Sequence, residues 1–283
     1  MLFRSLTDRS GRFSALKTFT LAGLVTPALW LGYRALTHDL GPLAVKEALL
    51  FTGLWAVRFV LLTLALTPAQ RFFNQSRIAL VRRMTGVAAF AYALGHFTLY
   101  ITMGKFNLVF VAGEIAQRIY LTIGFVAVLG LAALAATSTD AMVRKLGKRW
   151  KQLHKLVYGI AALGVLHFFM QSKIDASEAT LMAGLFATLM IYRLVIGFRL
   201  TASMLVLSGA AIAGGLATAA LEFAWYGLAT GVNPWRILHA NLMLGFGLRP
   251  AVLVLLSGLA VALAVGGMRL VTRQGARPRL RMA

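Results

Sequence analysis

The 283-residue sequence contains no cysteine, which excludes disulfides, thiolate metal sites and iron–sulfur clusters on this chain. Charged residues are scarce at 13%, about half the share of an average soluble domain. Acidic residues are the rarest class, with 8 Asp and Glu against 29 Lys and Arg. The sequence shows no GxGxxG after a strand, no P-loop and no nucleophile triad. These absences argue against a soluble nucleotide-binding or hydrolase domain.

Long apolar runs dominate what is present, because 59% of the residues are hydrophobic. Each run is long enough to cross a bilayer core of ~30 Å as a helix, and lipid offers no hydrogen-bond partner to an unpaired backbone group. We therefore predict an all-α integral membrane protein, a helical bundle with about eight transmembrane helices. The predicted spans run roughly from Leu16 to Leu36, Ala48 to Leu66, Met84 to Met103, Ile119 to Ala136, Leu153 to Met170, Ala179 to Ile196, Ala202 to Tyr226 and Leu248 to Val265.

The basic residues predict the orientation, because Lys and Arg concentrate in cytoplasmic loops. With a cytoplasmic N-terminus, 21 of the 29 basic residues fall on the cytoplasmic side and 7 on the other, while Arg58 lies inside a span. Six of the eight acidic residues fall on the side that is poor in basic residues. This alternation supports eight spans with both termini in the cytoplasm. It also accounts for the net charge of +21 without a nucleic-acid partner.

Two histidines lie deep inside predicted spans, where polar residues are costly and therefore functional candidates. His96 and His167 each lie ~18–21 Å from the cytoplasmic end of their helices. Imidazole suits iron, so two rings at one depth could clamp a heme iron from opposite faces. Gly95 and Gly164 would let a flat macrocycle approach the backbone. The alternative is that each buried histidine only bonds a neighbouring helix.

The other candidate residues have weaker support from the sequence. His154 opens the fifth span, and an ideal helix would turn its side chain ~140° away from that of His167. At the matching depth the third span offers Arg82 and Arg83, so these helices supply no second bis-histidine site. His154 could ligate alone, pair with an unidentified ligand, contact an anionic cofactor or be an ordinary interfacial residue. Arg58 could pair with a heme propionate or bond another helix.

The basic loops follow mainly from topology, although their charges could also bind a flavin phosphate or lipid head groups. His38 and His239 fall in outer loops and are interpreted as surface residues. The chain has no soluble NAD(P)H domain, so electrons must arrive from another protein, a free flavin or a membrane quinol. No clear internal repeat is visible, which disfavours an inverted-repeat transporter.

An ordered set of short motifs extends from about Val45 to Leu194. They are Phe51-Thr-Gly53, Arg58-Phe59, Leu66-Thr-Pro68, Arg82-Arg-Met-Thr-Gly86, Tyr92-Ala-Leu-Gly-His96, Tyr100, Tyr120-Leu-Thr-Ile-Gly124, Thr137-Ser-Thr139, Lys145-Leu-Gly-Lys-Arg-Trp150, Leu153-His154-Lys-Leu-Val-Tyr158, His167 and Lys173. Together they resemble the MsrQ (YedZ) family, the heme-binding membrane subunits of periplasmic methionine sulfoxide reductase systems. That family belongs to the ferric-reductase-like transmembrane group.

The resemblance implies b-type heme on His96 and His167, with His154 as a further candidate ligand, and FMN as a second cofactor. It implies electrons from the quinone pool or a flavin reductase. The acceptor would be an MsrP-like periplasmic molybdopterin enzyme, which would itself reduce methionine sulfoxide in oxidised envelope proteins. The chain would then lie in a bacterial cell inner membrane.

The family pattern has about six spans and ends soon after Leu194. We therefore expect a basic segment and first helix over residues 1–44, the ferric-reductase-like heme-binding core over 45–197, and a C-terminal extension with two helices and a basic tail over 198–283. The linker from Glu222 to Gly247 suits a membrane-interface anchor, or a contact with the partner or lipid. Two other functions stay open: a transmembrane reductase of ferric ion or another metal, and a transporter or scaffold with structural histidines.

Overall fold

The computed structural model describes residues 13–172, 175–243 and 247–275, with side chains up to residue 271. In this part of the chain the regular secondary structure is helical, and eight helical segments are long and apolar enough to cross a membrane. The prediction of an all-α integral membrane protein with eight spans is confirmed. Lys173 of the family motifs, and the basic residues before Phe13 and after Gly275, lie outside the described residues.

The helices follow one another with short connections, and a 3₁₀ turn at Ser76–Leu80 precedes α3 while a π-helical segment at Tyr226–Thr230 continues α10. Their bounds are α1 Ala15–Leu36, α2 Ala44–Phe72, α3 Arg82–Met103, α4 Leu108–Gln117, α5 Ile119–Ala136, α6 Asp140–Leu146, α7 Lys148–His154, α8 Val157–Gln171, α9 Ser177–Gly197, α10 Met204–Trp225, α11 Pro234–Ala240 and α12 Pro250–Gly275.

Side-chain caps determine where several of the helices begin. The Asn107 side chain accepts a hydrogen bond from the N–H of Phe110 at 3.0 Å and starts α4. The Thr139 hydroxyl accepts from the N–H of Met142 at 3.2 Å and starts α6. Each cap satisfies an amide that the first turn of a helix leaves without an intrahelical partner. Gly147 then separates α6 from α7 with a φ of +51°, a conformation that glycine adopts without strain.

The described chain forms two compact units. The first contains residues 13–67 and 76–171, and the second contains residues 68–75 together with the described residues after 171. In the first unit α5 packs against α8, α3 and α4, and α1 packs against α3. The hydroxyl of Tyr92 on α3 donates to the carbonyl of Leu24 on α1 at 2.9 Å. The predicted division at residues 45 and 198 stays a prediction.

In the second unit α9 and α10 approach closely because each carries a glycine followed one turn later by a threonine. Thr218 lies against Gly184 and Thr188 lies against Gly214, where an added Cβ would overlap the facing hydroxyl. Each hydroxyl is satisfied within its own helix, Thr188 by the carbonyl of Gly184 at 2.9 Å and Thr218 by that of Gly214 at 2.7 Å. Small residues of this kind are the usual means by which membrane helices pack at short distance.

Near the end of α10 a carboxylate is fully enclosed. Glu222 has 0% of its surface exposed and forms an ion pair with Arg249, which directly precedes α12. Its other carboxylate oxygen accepts a hydrogen bond from the side-chain amide of Asn241 at 2.9 Å. Asn241 and Arg249, which lie between α10 and α12, are therefore both bound to this buried carboxylate.

Candidate functional site

The structure brings His96 and His167 together in the first unit. Their ring centroids are 6.2 Å apart and the ring planes are nearly perpendicular, at 83°. Imidazole binds a metal such as zinc at about 2.0–2.1 Å, so two rings on opposite sides of one metal ion have centroids about 6–6.5 Å apart. The observed separation therefore suits one metal ion between the rings, whereas the role of the two residues as ligands stays a prediction.

Each ring is held through Nδ1 by a backbone carbonyl. The Nδ1 of His96 lies 2.8 Å from the carbonyl oxygen of Leu49, and the Nδ1 of His167 lies 2.8 Å from that of Tyr120. A carbonyl oxygen only accepts, so Nδ1 carries the hydrogen in both rings and Nε2 is the bare nitrogen of the neutral imidazole. Metal-ligating histidines are usually fixed by a second hydrogen bond of this kind.

A glycine one turn after each acceptor makes room for the ring. A Cβ at Gly53 would lie 2.7 Å from Nδ1 of His96, and a Cβ at Gly124 would lie 2.6 Å from Nδ1 of His167. Real Cβ atoms essentially never approach other atoms so closely. Both rings therefore lie directly against the backbone of the neighbouring helix, and any larger residue would displace them.

The same arrangement occurs twice, and we name its copies the first histidine arm (α2 and α3, with His96) and the second histidine arm (α5 and α8, with His167). In both arms the acceptor carbonyl precedes the histidine by 47 residues. In both arms the glycine follows the acceptor by one turn. The sequence analysis found no internal repeat, because the repeat consists of a few positions within helices of otherwise different sequence. The signal that was available is the equal spacing from Gly53 to His96 and from Gly124 to His167.

Side chains at the start of α5 hold the second acceptor in place. Arg118 forms an ion pair with Glu114 at 2.7 Å and donates to the hydroxyl of Tyr120 at 3.3 Å. The hydrogen bond to Tyr120 and the charge of Glu114 raise the pKa of Arg118, which lies outside the spans. The charged guanidinium thus contacts the side chain of the residue whose carbonyl holds His167. The sequence analysis assigned no role to these three residues.

The donor set fits heme better than a bare metal ion. Among the described residues no group of three or more His, Asp or Glu could hold a metal ion. Two imidazoles are too few for an ordinary protein metal site, but a porphyrin fills the equatorial positions itself and needs only axial ligands. A Cβ at Gly95 or Gly164 would meet no atom within 4 Å, which agrees with the predicted room for a macrocycle beside these helices.

His154 lies apart from the ring pair, at the end of α7. Its ring stacks on Trp150 with centroids 3.9 Å apart and planes 25° apart. Its Nδ1 lies 3.1 Å from the carbonyl oxygen of Trp150, and its Nε2 lies 3.3 Å from the hydroxyl of Ser138. Both nitrogens of His154 thus face protein oxygens, whereas the described residues form no hydrogen bond to Nε2 of His96 or His167. The predicted role of His154 as a further ligand is not tested by these contacts.

Arg58 lies half-buried inside α2, as its position in the sequence indicated. Its guanidinium carbon lies 5.0 Å from the ring centroid of Trp55, one turn earlier on the same helix. A cation–π contact of this geometry places the positive charge against an aromatic face within the span. Pairing of Arg58 with a heme propionate stays a prediction.

Arg82 and Arg83 begin α3 and each makes a contact with another helix. Arg82 donates to the Thr67 hydroxyl at 3.1 Å, and its charge interacts with His154. Arg83 forms an ion pair with Asp140, and both side chains are more than half exposed. Arg82 and Arg83 therefore lie near His154 and near α6, respectively, in the first unit. Their positive charge would attract an anionic group.

Comparison with known proteins places these features in a family. Residues 52–165 match the family model described as "Ferric reductase like transmembrane component", a range that includes His96 and ends just before His167. Relatives from Brucella melitensis, Brucella ovis and Brucella suis, named protein-methionine-sulfoxide reductase heme-binding subunit MsrQ, are 40% identical over 189 residues, covering 66% of this chain and 84% of theirs. The chain belongs to the MsrQ family.

The membership in the MsrQ family confirms the resemblance drawn from the short motifs. The printed name of these MsrQ relatives states heme binding and a place as a subunit of a methionine sulfoxide reductase. No solved structure matches the chain.

Proposed function

We propose that this chain carries electrons across a membrane through a b-type heme bound by His96 and His167. The observation that carries the proposal is the ring pair, with centroids 6.2 Å apart and each Nδ1 fixed 2.8 Å from a carbonyl oxygen. A bound heme would supply reversible uptake and release of one electron. The naming of the relatives as heme-binding subunits supports this assignment.

The contribution of the chain is to hold two neutral imidazoles with their Nε2 atoms available. The carbonyls of Leu49 and Tyr120 fix the tautomer and raise the basicity of each ring. Gly53 and Gly124 let each ring lie directly against the backbone of a neighbouring helix.

We assign the remaining predicted residues to secondary cofactor contacts. Arg58 would pair with a heme propionate, and His154, Arg82 and Arg83 would attract the phosphate of FMN, with His154 also a candidate ligand. The support is positive charge alone, because Arg83 is already paired with Asp140 and His154 already faces Ser138 and Trp150.

The donor, acceptor and location complete the proposal. Electrons would come from the quinone pool or a flavin reductase and pass to an MsrP-like periplasmic molybdopterin subunit that repairs oxidised envelope proteins. The word "subunit" in the name of the relatives supports a catalytic partner. The charge distribution, with 21 of 29 basic residues on one side, supports an inner-membrane protein with both termini cytoplasmic. The core over 45–197 and the extension over 198–283 form part of the same proposal.

The first test is the absorbance spectrum of the detergent-purified chain, expressed with ample heme and recorded oxidised and then dithionite-reduced. We expect a Soret band and a sharp α band on reduction, because two imidazoles give a low-spin iron. A colourless protein would contradict the proposal and favour the transporter or scaffold with structural histidines.

The second test separates the two electron-transfer functions. The description of the matched family model favours a reductase of ferric ion as the second candidate. The chain, reduced and freed of reductant, is mixed either with a ferric chelate or with the molybdopterin subunit and methionine sulfoxide. Reoxidation that requires both the subunit and methionine sulfoxide supports the first function, and rapid reoxidation by the chelate alone supports ferric reduction.

A further inference from the structure

The two histidine arms differ at one position next to the acceptor carbonyl. In the first arm the hydroxyl of Thr52 lies 3.0 Å from the carbonyl oxygen of Leu49 and 2.8 Å from that of Ala48. Thr52 is buried, with 8% of its surface exposed. The position three residues after the acceptor in the second arm is Ile123, which carries no hydroxyl. The acceptor of His96 therefore has a donor that the acceptor of His167 lacks.

We propose that Thr52 tunes the basicity of His96 and thereby the reduction potential of a heme held by the two arms. This inference rests on the proposed function, since it requires heme on His96 and His167. The carbonyl oxygen of Leu49 has two lone pairs. It lies within a regular helix, where it also accepts the N–H of Gly53 four residues on. The Thr52 hydroxyl and the His96 Nδ1–H must therefore compete for the remaining lone pair of the Leu49 carbonyl oxygen.

The sign of the effect follows from this competition. A carbonyl that already accepts from Thr52 accepts less strongly from His96, so the His96 ring gains less anionic character. A less basic axial ligand stabilises the ferric ion less and leaves the reduction potential higher. The acceptor of His167 has no hydroxyl at the corresponding position, so His167 is the more electron-rich of the two ligands. Thr52 touches no reacting atom and acts as a positioning residue through Leu49.

Threonine hydroxyls often bond back to a carbonyl of their own helix, so the contact alone does not mark function. Thr63 on the same helix provides the comparison, because its hydroxyl bonds the carbonyl of Phe59 at 2.7 Å and that carbonyl holds no histidine. What distinguishes Thr52 is that its second acceptor is the carbonyl that fixes His96.

The experiment is a redox titration of the full-length purified protein, followed by the reduced α band, for the wild type and three variants. Thr52→Val removes the hydroxyl at nearly constant volume and should lower the potential, changing the equilibrium constant for heme reduction roughly two- to tenfold, the range of one ordinary hydrogen bond. Ile123→Thr places a hydroxyl beside the acceptor of His167 and should raise the potential. Thr63→Val is the matched control and should leave the potential unchanged.

The outcomes separate this inference from the proposed function. A wild type without heme bands refutes the proposed function itself. Intact bands with the same potential in Thr52→Val, Thr63→Val and the wild type overturn the inference and leave the heme assignment standing. If Thr52→Val does not fold, Ile123→Thr decides, because an unchanged or lowered potential there also overturns the inference. A shift in Thr63→Val as large as that in Thr52→Val would show a general effect of helix repacking and would likewise overturn it.

Discussion

The histidine arms of the first unit and the Glu222 cluster of the second unit treat buried polar groups in opposite ways. In the arms, each imidazole is fixed through one nitrogen by a carbonyl, and the described residues leave Nε2 without a hydrogen bond. In the cluster, Glu222 has one oxygen on Arg249 and the other on Asn241. Both regions place polar atoms inside spans, where each unpaired group costs several kcal/mol.

We interpret the difference as one between a proposed cofactor site and a structural ion pair. Both oxygens of the Glu222 carboxylate are paired within the protein, although Oδ1 of Asn241 and Nε of Arg249 in the same cluster are buried without a hydrogen bond. Each imidazole is fixed through Nδ1, and its Nε2, which has no hydrogen bond from the described residues, is the atom that we propose binds a cofactor. Four predictions follow from this contrast, and they begin with the largest expected effect.

Removing either imidazole should abolish the proposed heme site. We expect His96→Ala and His167→Ala each to lose the low-spin bands while the protein still inserts into the membrane, because one axial ligand disappears in each. The absorbance spectrum of the purified variants measures this. His38→Ala, which changes an exposed histidine, is the control and should keep the bands. Full heme content in both single variants would refute the ligand assignment.

A methyl group added at Gly124 should weaken heme binding, because it displaces the ring of His167. In Gly124→Ala the new Cβ would lie 2.6 Å from Nδ1 of His167, so the ring must move away from the Tyr120 carbonyl. Loss of such a supporting hydrogen bond typically lowers metal affinity 10–100-fold. Heme titration of the apoprotein measures the change. Gly159→Ala on α8 adds a methyl that meets nothing within 4 Å, and equal weakening in that control would contradict the prediction.

Breaking the Glu222 cluster should reduce the stability of the protein and leave the heme spectrum intact. Glu222→Ala leaves the Arg249 charge without its buried partner, and such a change typically costs about 3–5 kcal/mol in the free energy of unfolding. Thermal unfolding in detergent measures the loss. Asp39→Ala removes an ion pair with Arg34 whose acid is mostly exposed, and it should have little effect. Loss of the heme bands in Glu222→Ala at an unchanged melting temperature would contradict the structural role of Glu222 and indicate a role in heme binding.

The smallest effect is expected where an ion pair is open to solvent. Arg83→Gln breaks the pair with Asp140, in which both side chains are more than half exposed, and should cost about 0–1 kcal/mol. The same thermal measurement checks this. If Arg83 holds the FMN phosphate as proposed, Arg83→Gln should weaken binding of added FMN far more than it lowers stability. A flavin affinity equal to that of the wild type would remove Arg83 from the proposed site.

The sequence predicted the architecture well because hydropathy and charge are local signals. Eight apolar runs became eight spans, and the depth argument placed His96 and His167 at one level, where the structure indeed brings their rings together. The length of each apolar run predicts a span, and the cost of a polar group in lipid marks the two histidines as unusual.

The carbonyls and glycines that hold the two histidine rings could not be predicted from the sequence, because they lie far from the histidines along the chain. The acceptors of both rings are backbone carbonyls, which every residue carries, so Leu49 and Tyr120 show nothing in their side chains. Gly53 and Gly124 appeared in the family motifs, but only the packing of a ring against each shows why a larger residue fails there. Likewise the pairing of Glu222 with Arg249 is not visible in the sequence, because the two residues lie 27 positions apart.

The separation of the two arms along the chain has a consequence for biosynthesis. Translation proceeds from the N-terminus at roughly 5–20 residues per second, so His96 and its carbonyl enter the membrane several seconds before His167 does. During that interval the nascent chain carries only one of the two paired imidazoles, and a ribosome-bound fragment ending after α5 lacks His167. If heme is bound by both histidines as proposed, it can be held from both sides only after α8 has left the ribosome and inserted, so binding would be a late event in the biosynthesis of the first unit.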